Sequence, residues 1–263
     1  WPSSWRWTTS TPTATTTATT ITPTTPCPKA NTATGTSTRP SGTAIRMCRT
    51  STTSTSTDSM KLLGRLTSIN VRKVMWTAAQ IGLELEREDW GAGFRSPQEP
   101  GYLALNPNGL IPVLIDGDFA LWESNSICRY LAAKAGATEL LPTDPQARAR
   151  VEQWMDWQAG ELNNSWRVAI MALVRGQPHP PEAIAASVAG WNRHMAMLDA
   201  QLARTGAHVT GDDFTLADVV LGLSTQRWKN APIERVALPA VDAWMARLIG
   251  RPGFAAYVDN GMP

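Results

Sequence analysis

The chain changes its sequence pattern near residue 140, and this change limits the folds open to it. From Met60 to about Ala135, short strand-like and helix-like segments alternate, whereas from about Asp144 the apolar residues recur with the period of helices. A sheet with its own helices must therefore come first, and a group of helices second. The pattern predicts an α+β domain followed by an all-helical domain.

The predicted elements of the first part follow the order β-α-β-α-β-β-α. They are a strand at 61–66, a helix at 70–82, a strand at 83–89, a short helix at 102–105, a hairpin at 112–122 and a helix at 124–136. The hairpin turns at Asp116-Gly117-Asp118, where Asp-Gly favours the positive φ of a tight turn. The second part has predicted helices at 144–162, 181–203, 214–228 and 238–250, the third opening on a Thr215/Asp218 capping box.

The first 59 residues differ in composition from the rest. They contain 22 Thr and 9 Ser, with no acidic residue before Asp58. Their apolar residues are isolated and follow neither helical nor strand periodicity, so they cannot bury enough surface to offset the entropy of ordering. We expect residues 1–59 to be a disordered Thr/Ser-rich extension, either a tail or an over-extended reading frame; an organelle-targeting segment is the alternative.

Charge and cysteine content exclude several classes of function. Without the extension the chain has 19 basic and 21 acidic residues, which predicts neither a nucleic-acid nor a membrane partner. No apolar run is long enough to span a bilayer. Cys27, Cys48 and Cys128 are too few and too scattered for a disulfide framework or a metal site. We expect a protein of the cytoplasm, with Cys128 buried in the core.

A proline stands inside the most strand-like run, "NPNGLIPVL" (106–114). Pro112 offers no N–H to a sheet, so it normally marks an edge strand or the first residue of a strand. Taken alone it would indicate only an edge strand after the Asn-Gly turn. It occurs, however, together with "TSINVRKV" (67–74), "LWESNSICRYL" (121–131) and "GDDFTLADV" (211–219).

In their order and spacing, these four segments resemble the cytosolic glutathione S-transferase family, in its bacterial serine-type or Thr-x-Asn branch. The resemblance runs from Met60 to about Val258. It implies a thioredoxin-like, glutathione-binding domain over 60–136, a linker over 137–145 and an all-helical domain over 146–263. It also implies a homodimer with glutathione as co-substrate and no metal.

The resemblance assigns the binding of glutathione to two places. The Ile111–Pro112 bond is expected to be cis, so that the backbone of Ile111 pairs with the cysteine residue of glutathione; Asn108 in the same loop is expected to contact the peptide. At the second place, Ser124 opens a helix whose N-terminus attracts the γ-glutamyl carboxylate. Glu123 is expected to receive the γ-glutamyl ammonium. As isolated features, Ser124 would be only a cap and Glu123 an exposed acid.

The chemistry is expected at the end of the first strand. The thiolate of glutathione is the nucleophile, but a free thiol is only a few per cent ionised at neutral pH. Serine-type members place the serine four residues before a helix arginine, as Ser68 precedes Arg72; the Thr-x-Asn branch matches Ser68 and Asn70. We predict Ser68 as the hydrogen-bond donor to the thiolate, assisted by Asn70, with Thr67 as the rival. All three could also serve only as helix caps.

The expected function is that of a glutathione transferase, acting in detoxification on a small hydrophobic electrophile. Two alternatives remain open at this point. One is a glutathione-dependent disulfide reductase, which the Thr-x-Asn pattern suggests. The other is a non-catalytic glutathione-binding module on the same scaffold.

Overall fold

The computed structural model describes residues 59–261, so the extension expected over 1–59 lies outside the described residues apart from Ser59. Four short strands form one mixed sheet. They are β1 (Lys61–Leu63), β2 (Glu86–Glu88), β3 (Val113–Asp116) and β4 (Phe119–Trp122), in the spatial order β2-β1-β3-β4. β1 runs parallel to β2, and β3 runs antiparallel to both β1 and β4. This confirms the predicted thioredoxin-like sheet.

Three helices belong to this first domain: α1 (Ile69–Gln80), α2 (Pro100–Leu103) and α3 (Ser124–Lys134). α1 and α3 pack against each other and against the sheet through fully buried residues such as Val71, Val74 and Ile127. Cys128 on α3 is buried as predicted.

The first strand is shorter than the predicted 61–66 because Gly64 turns the chain away from the sheet. Its φ of 152° lies where L-residues with a side chain are strained. A Cβ atom at this position would also lie 2.5 Å from Cγ2 of Val71. The glycine therefore lets the strand pass directly under the first turn of α1, which begins five residues later.

The second part is helical, as predicted. It contains α4 (Pro145–Trp157), α5 (Asn163–Leu173), α6 (Pro181–Thr205), α7 (Leu216–Asn230) and α8 (Pro239–Leu248), with π-helical turns over Gln158–Leu162 and Phe254–Val258. α5 was not predicted from the sequence. The first π-helical turn joins it to α4 without a break, and this turn shifts the apolar periodicity on which the prediction depended.

A continuous apolar core joins the sheet-side helices to the second domain. Trp76 on α1 is fully buried, with Phe214 and Phe254 edge-on at ring-centroid distances of 5.8 and 5.9 Å. α1 therefore packs on α3 with one side and on α7 with another. Within residues 59–261, no helix is both long and apolar enough to cross a membrane.

A fully buried carboxylate organises the entry to α7. Asp218 accepts hydrogen bonds from the backbone N–H of Thr215 (2.9 Å), the backbone N–H of Val209 (3.0 Å) and Nε1 of Trp244 (2.9 Å). The predicted Thr215/Asp218 capping box is present. It also ties the start of α7 to α8 and to the segment before α7, so its role is in folding.

Candidate active site

The register of the sheet brings three separate loops to one edge. Leu63 at the end of β1 pairs with Val113 at the start of β3, and Val113 pairs with Trp122 at the end of β4. The chain therefore leaves β1, enters β3 and leaves β4 at the same edge. With about 4.8 Å between neighbouring strands, the three points span about 10 Å.

The middle point is the turn before β3. The Ile111–Pro112 peptide bond is cis, as predicted. Among the described residues, the backbone N–H and C=O of Ile111 have no hydrogen-bond partner. The preceding carbonyl of Leu110, in contrast, accepts from the hydroxyl of Tyr102 (2.9 Å) and from Nδ2 of Asn106 (2.7 Å). The loop is thus held from behind, and Ile111 keeps its backbone groups for another chain.

Asn106 is a residue of this loop that sequence reasoning missed. It is buried, and its Oδ1 accepts from both the backbone N–H (3.1 Å) and Nδ2 (3.0 Å) of Asn108. Asn108, which was predicted to bind glutathione, therefore directs its amide into the loop in this structure. An asparagine before Pro107 looks like an ordinary turn residue, and no local pattern shows that its side chain is buried.

The point at the end of β4 is the start of α3, where Glu123 has an unusual backbone conformation. Its φ of 73° is the only positive value for a residue other than glycine within 59–261. Such a conformation costs of the order of 1–3 kcal/mol and persists at functional sites. Glu123 is exposed and is the N-cap, whereas Ser124 is already the first helical residue. The helix was predicted to begin at Ser124, as it does, but the cap is Glu123 and not Ser124.

Ser124 is suited to an anion. It is buried, and its hydroxyl has no hydrogen-bond partner among residues 59–261. The first N–H groups of this eleven-residue helix have no partners within the helix and lie at the positive end of its dipole. No acidic residue occurs in this first turn. The position therefore offers several donors and a favourable field to a carboxylate.

The third point is the loop between β1 and α1, which carries the three candidate donors. Ser68 is the N-cap of α1, but its side chain makes no cap hydrogen bond, and it is half-buried. The hydroxyl of Thr67 accepts from Nη1 of Arg65 at 2.5 Å. The side chain of Asn70 has no hydrogen-bond partner in the described part of the chain. Ser68 and Asn70 are thus available to a ligand, whereas Thr67 is already engaged.

Two positive side chains on α1, those of Arg72 and Lys73, are buried. The burial of Lys73 was not indicated by the sequence. Arg72 is 1% exposed and donates from Nη1 to Oδ1 of Asn260 (2.7 Å). Burial lowers the pKa of Arg72 to about 10. On the facing helix, Arg227 is also buried, with its guanidinium 4.7 Å from the ring centroid of Trp166. Positive charge is therefore concentrated behind the first turns of α1.

Comparison of this sequence with known proteins shows which protein family it matches. The family model described as "Glutathione S-transferase, N-terminal domain" matches residues 58–133, and "Glutathione S-transferase, C-terminal domain" matches residues 181–260. The chain is also 37% identical to glutathione S-transferase GstB of Escherichia coli K12 over 201 residues, or 75% of this chain and 96% of the relative. The chain belongs to the glutathione S-transferase family.

Two other glutathione S-transferases resemble this chain to a similar degree, one in sequence and one in both sequence and structure. Glutathione S-transferase 3 of Zea mays is 34% identical over 212 residues, covering 76% of this chain and 93% of the relative. A theta class glutathione S-transferase from Xanthomonas axonopodis pv. citri, solved with glutathione bound, is 37% identical. That structure superposes with a TM-score of 0.71, covering 76% of this chain and 97% of the other.

The transferase fold of this chain offers no metal site within the described residues. In residues 59–261, no group of three or more His, Cys, Asp or Glu side chains could hold a metal ion. The groups that converge at the sheet edge are instead hydroxyls, amides, backbone groups and one carboxylate. They suit a small zwitterionic peptide such as glutathione.

Proposed function

We propose that this protein is a glutathione transferase that activates the thiol of glutathione as a thiolate for attack on a small hydrophobic electrophile. One observation carries the proposal: Ser68, Ile111 and Ser124 emerge at the same sheet edge, each with a polar group that lacks a partner among residues 59–261. Family membership supports the same reading.

The span of the site suits a tripeptide. An extended chain covers about 3.3 Å per residue, so three residues cover about 10 Å, which equals the separation of β1 and β4 at this edge. The γ-glutamyl group would bind at α3, with its carboxylate at Ser124 and its ammonium at Glu123. The cysteine residue would pair with the backbone of Ile111, and Asn108 would contact the peptide beside it. The thiol would then point towards Ser68.

Ser68 would act by favouring the thiolate. Lowering the thiol pKa by two units requires about 2.7 kcal/mol of preferential stabilisation. A hydrogen bond to a charged group contributes roughly 1.5–3 kcal/mol, and a helix N-terminus adds to this. Ser68 would keep its own proton and donate a hydrogen bond to sulfur, with Asn70 assisting, while the thiol proton leaves to solvent. The thiolate would form a bond from sulfur to the electrophilic carbon; with chlorodinitrobenzene the carbon–chlorine bond would break and chloride would leave.

Four finer properties belong to the same proposal. The enzyme would be of the serine type, a homodimer, and located in the cytoplasm. Its folded part would comprise a glutathione-binding domain over 60–136, a linker over 137–145 and a helical domain over 146–263. Family resemblance supports the dimer and the location, and the free hydroxyl of Ser68 supports the serine type.

Two assays with purified protein test the activity. Conjugation of glutathione with chlorodinitrobenzene, followed by absorbance, should be well above the uncatalysed rate, whereas reduction of hydroxyethyl disulfide should be weak. The reverse ratio would favour the disulfide reductase. Binding of glutathione without either activity would favour a non-catalytic module. A protein that does not bind glutathione at all would contradict the proposal.

A further inference from the structure

A buried lysine lies behind the proposed glutathione site, although the mechanism above does not use it. Lys73 on α1 is 2% exposed. Its ammonium donates to Oε1 of Gln158 at 2.7 Å and to Oδ1 of Asn125 at 3.3 Å. Both partners are neutral amides, so these hydrogen bonds engage two of the three N–H donors of Lys73 without neutralising its charge.

The two amides are oriented by further hydrogen bonds. Nδ2 of Asn125 donates to the carbonyl of Met155 (2.8 Å), and Nε2 of Gln158 donates to Oδ1 of Asn163 (2.9 Å). Each amide therefore directs its nitrogen elsewhere and its oxygen at Lys73. The network connects α1 with the first turn of α3, with α4 and with the π-helical turn before α5.

The position of Asn125 links this network to the ligand. Asn125 directly follows Ser124 in the first turn of α3, where the γ-glutamyl carboxylate is proposed to bind. Lys73 thus holds, through Asn125, the turn whose N–H groups must face that carboxylate. Its positive charge lies on the protein side of the same turn.

The charged surroundings of Lys73 leave it close to titration at neutral pH. Burial lowers its pKa to about 8. Of the groups facing it, the carboxylate of Glu123 raises this pKa and Arg227 on α7 lowers it, while Cys128 on α3 faces it as a neutral thiol at this pH. An ammonium in such a place gains from an additional anion nearby, because the desolvation penalty has already been incurred on folding.

We propose that Lys73 is a positioning residue for glutathione, which fixes the first turn of α3 through Asn125 and supplies positive charge behind the γ-glutamyl carboxylate. This inference rests on the proposed function, since it concerns the same ligand. It adds a group that does not touch the peptide.

The proposal predicts a link between binding and protonation. A bound carboxylate raises the pKa of Lys73 above its value of about 8 in the free protein. The contribution of Lys73 to affinity is therefore fully present below pH 8, where the ammonium is charged in both states. It is lost as the pH rises through the higher pKa of the complex.

The test uses S-methylglutathione, which has no thiol to titrate, and calorimetric binding at pH values from about 6.5 to 9.5. Lys73→Met should weaken binding at pH 7 by about 10-fold, or 1.4 kcal/mol. Lys73→Arg keeps a charge that does not titrate, so its affinity should stay near wild type at pH 7 and decline less above pH 8. The ligand's own amino group titrates equally in all three proteins. Parallel pH profiles would overturn the proposal.

A second measurement needs no variant and covers the case in which Lys73→Met does not fold. The chain has only five lysines, so a protein labelled with ¹³C at lysine Cε gives few resonances. The buried lysine should titrate near pH 8 in the free protein and at a higher pH with S-methylglutathione bound. A titration that ligand leaves unchanged would overturn the proposal while the proposed function stands. Failure of the wild type to bind S-methylglutathione would overturn both.

Discussion

Val113 of β3 lies directly opposite Trp122 of β4. Pro112 precedes the first and Glu123 follows the second, so the turn with the free backbone of Ile111 and the strained N-cap of α3 are fixed to one hairpin. A two-residue turn at its other end sets the register of this hairpin. The distance between the two proposed binding points for glutathione therefore depends on the sheet rather than on flexible loops.

Replacing Ser68 with Ala should mainly lower kcat at neutral pH. Its hydroxyl makes no cap hydrogen bond, so the loss should fall on the thiolate rather than on stability. A hydrogen bond to a charged group is worth roughly 1.5–3 kcal/mol, which corresponds to about a 10- to 100-fold effect near pH 7. The effect should shrink towards pH 9, where glutathione ionises without help. Steady-state rates with chlorodinitrobenzene across this range provide the measurement.

Thr67→Ala is the matched control for that experiment, because Thr67 is the neighbouring hydroxyl and is engaged by Arg65. It should retain most of the activity. A severe loss in Thr67→Ala or Asn70→Ala, with Ser68→Ala near wild type, would move the donor but keep the mechanism. If all three leave the pH profile unchanged, a hydroxyl-assisted thiolate is not how this protein works.

Replacing Glu123 should separate binding from backbone strain. Both Glu123→Ala and Glu123→Gly remove the carboxylate and should raise KM for glutathione with little change in kcat, because the γ-glutamyl ammonium is remote from the reaction. Glycine tolerates the φ of 73°, whereas alanine does not. The Gly variant should therefore unfold with a free energy about 1 kcal/mol above that of the Ala variant in urea titrations. Equal stabilities would argue against strain at this position.

Asp218→Ala should destabilise the fold more than the chemistry. It leaves the donors of Val209, Thr215 and Trp244 buried without their acceptor. Each unsatisfied donor costs about 1–3 kcal/mol, so the free energy of unfolding in urea should fall by about 3 kcal/mol or more. Asp213→Ala, at an exposed site just before α7, should change it by less than about 0.5 kcal/mol. A similar effect of both substitutions would refute the role given to Asp218.

Cys128 should be inert in the folded protein. Burial raises the pKa of its thiol to about 11, and the neutral thiol is a poor nucleophile. Alkylation with iodoacetamide at pH 8, resolved by mass spectrometry of the Cys128 peptide, should be slow in buffer and fast in urea. Rapid labelling in buffer would show that α3 opens far more often than its burial indicates.

Removal of residues 1–59 should leave the affinity for glutathione unchanged, because every proposed ligand contact lies after residue 66. A chain that begins at Met60 can be compared with the full chain by calorimetry with S-methylglutathione. Lower affinity or solubility of the shorter protein would contradict the expectation that this segment has no part in the folded enzyme.

Local signals account for what the sequence predicted well. The Asp-Gly turn sets the hairpin, glycines end α1 and α3, and the Thr215/Asp218 pair marks the start of α7. These features depend on residues a few positions apart, so they can be interpreted without the fold.

Features that depend on distant partners were missed. The amides that make a buried lysine tolerable at position 73 come from residues 52 and 85 positions further along the chain. Asn106 was missed for a different reason: its partner, the carbonyl of Leu110, is only four positions away, but nothing in the local sequence shows that its side chain is buried. Charged and amide side chains are normally exposed, and only the assembled helices reverse that expectation.

The π-helical turn over Gln158–Leu162 has a consequence for how this family can diverge. Such a turn takes one residue more than an α-helical turn for about the same rotation around the helix axis. Loss of a single codon here would therefore leave a continuous α-helix in which α5 keeps its face and Trp166 stays against Arg227, whereas the same loss inside α4 would rotate everything after it by about 100°. In an alignment of transferases, a one-residue gap at this turn would therefore mark a change in length that leaves the packing of α5 intact.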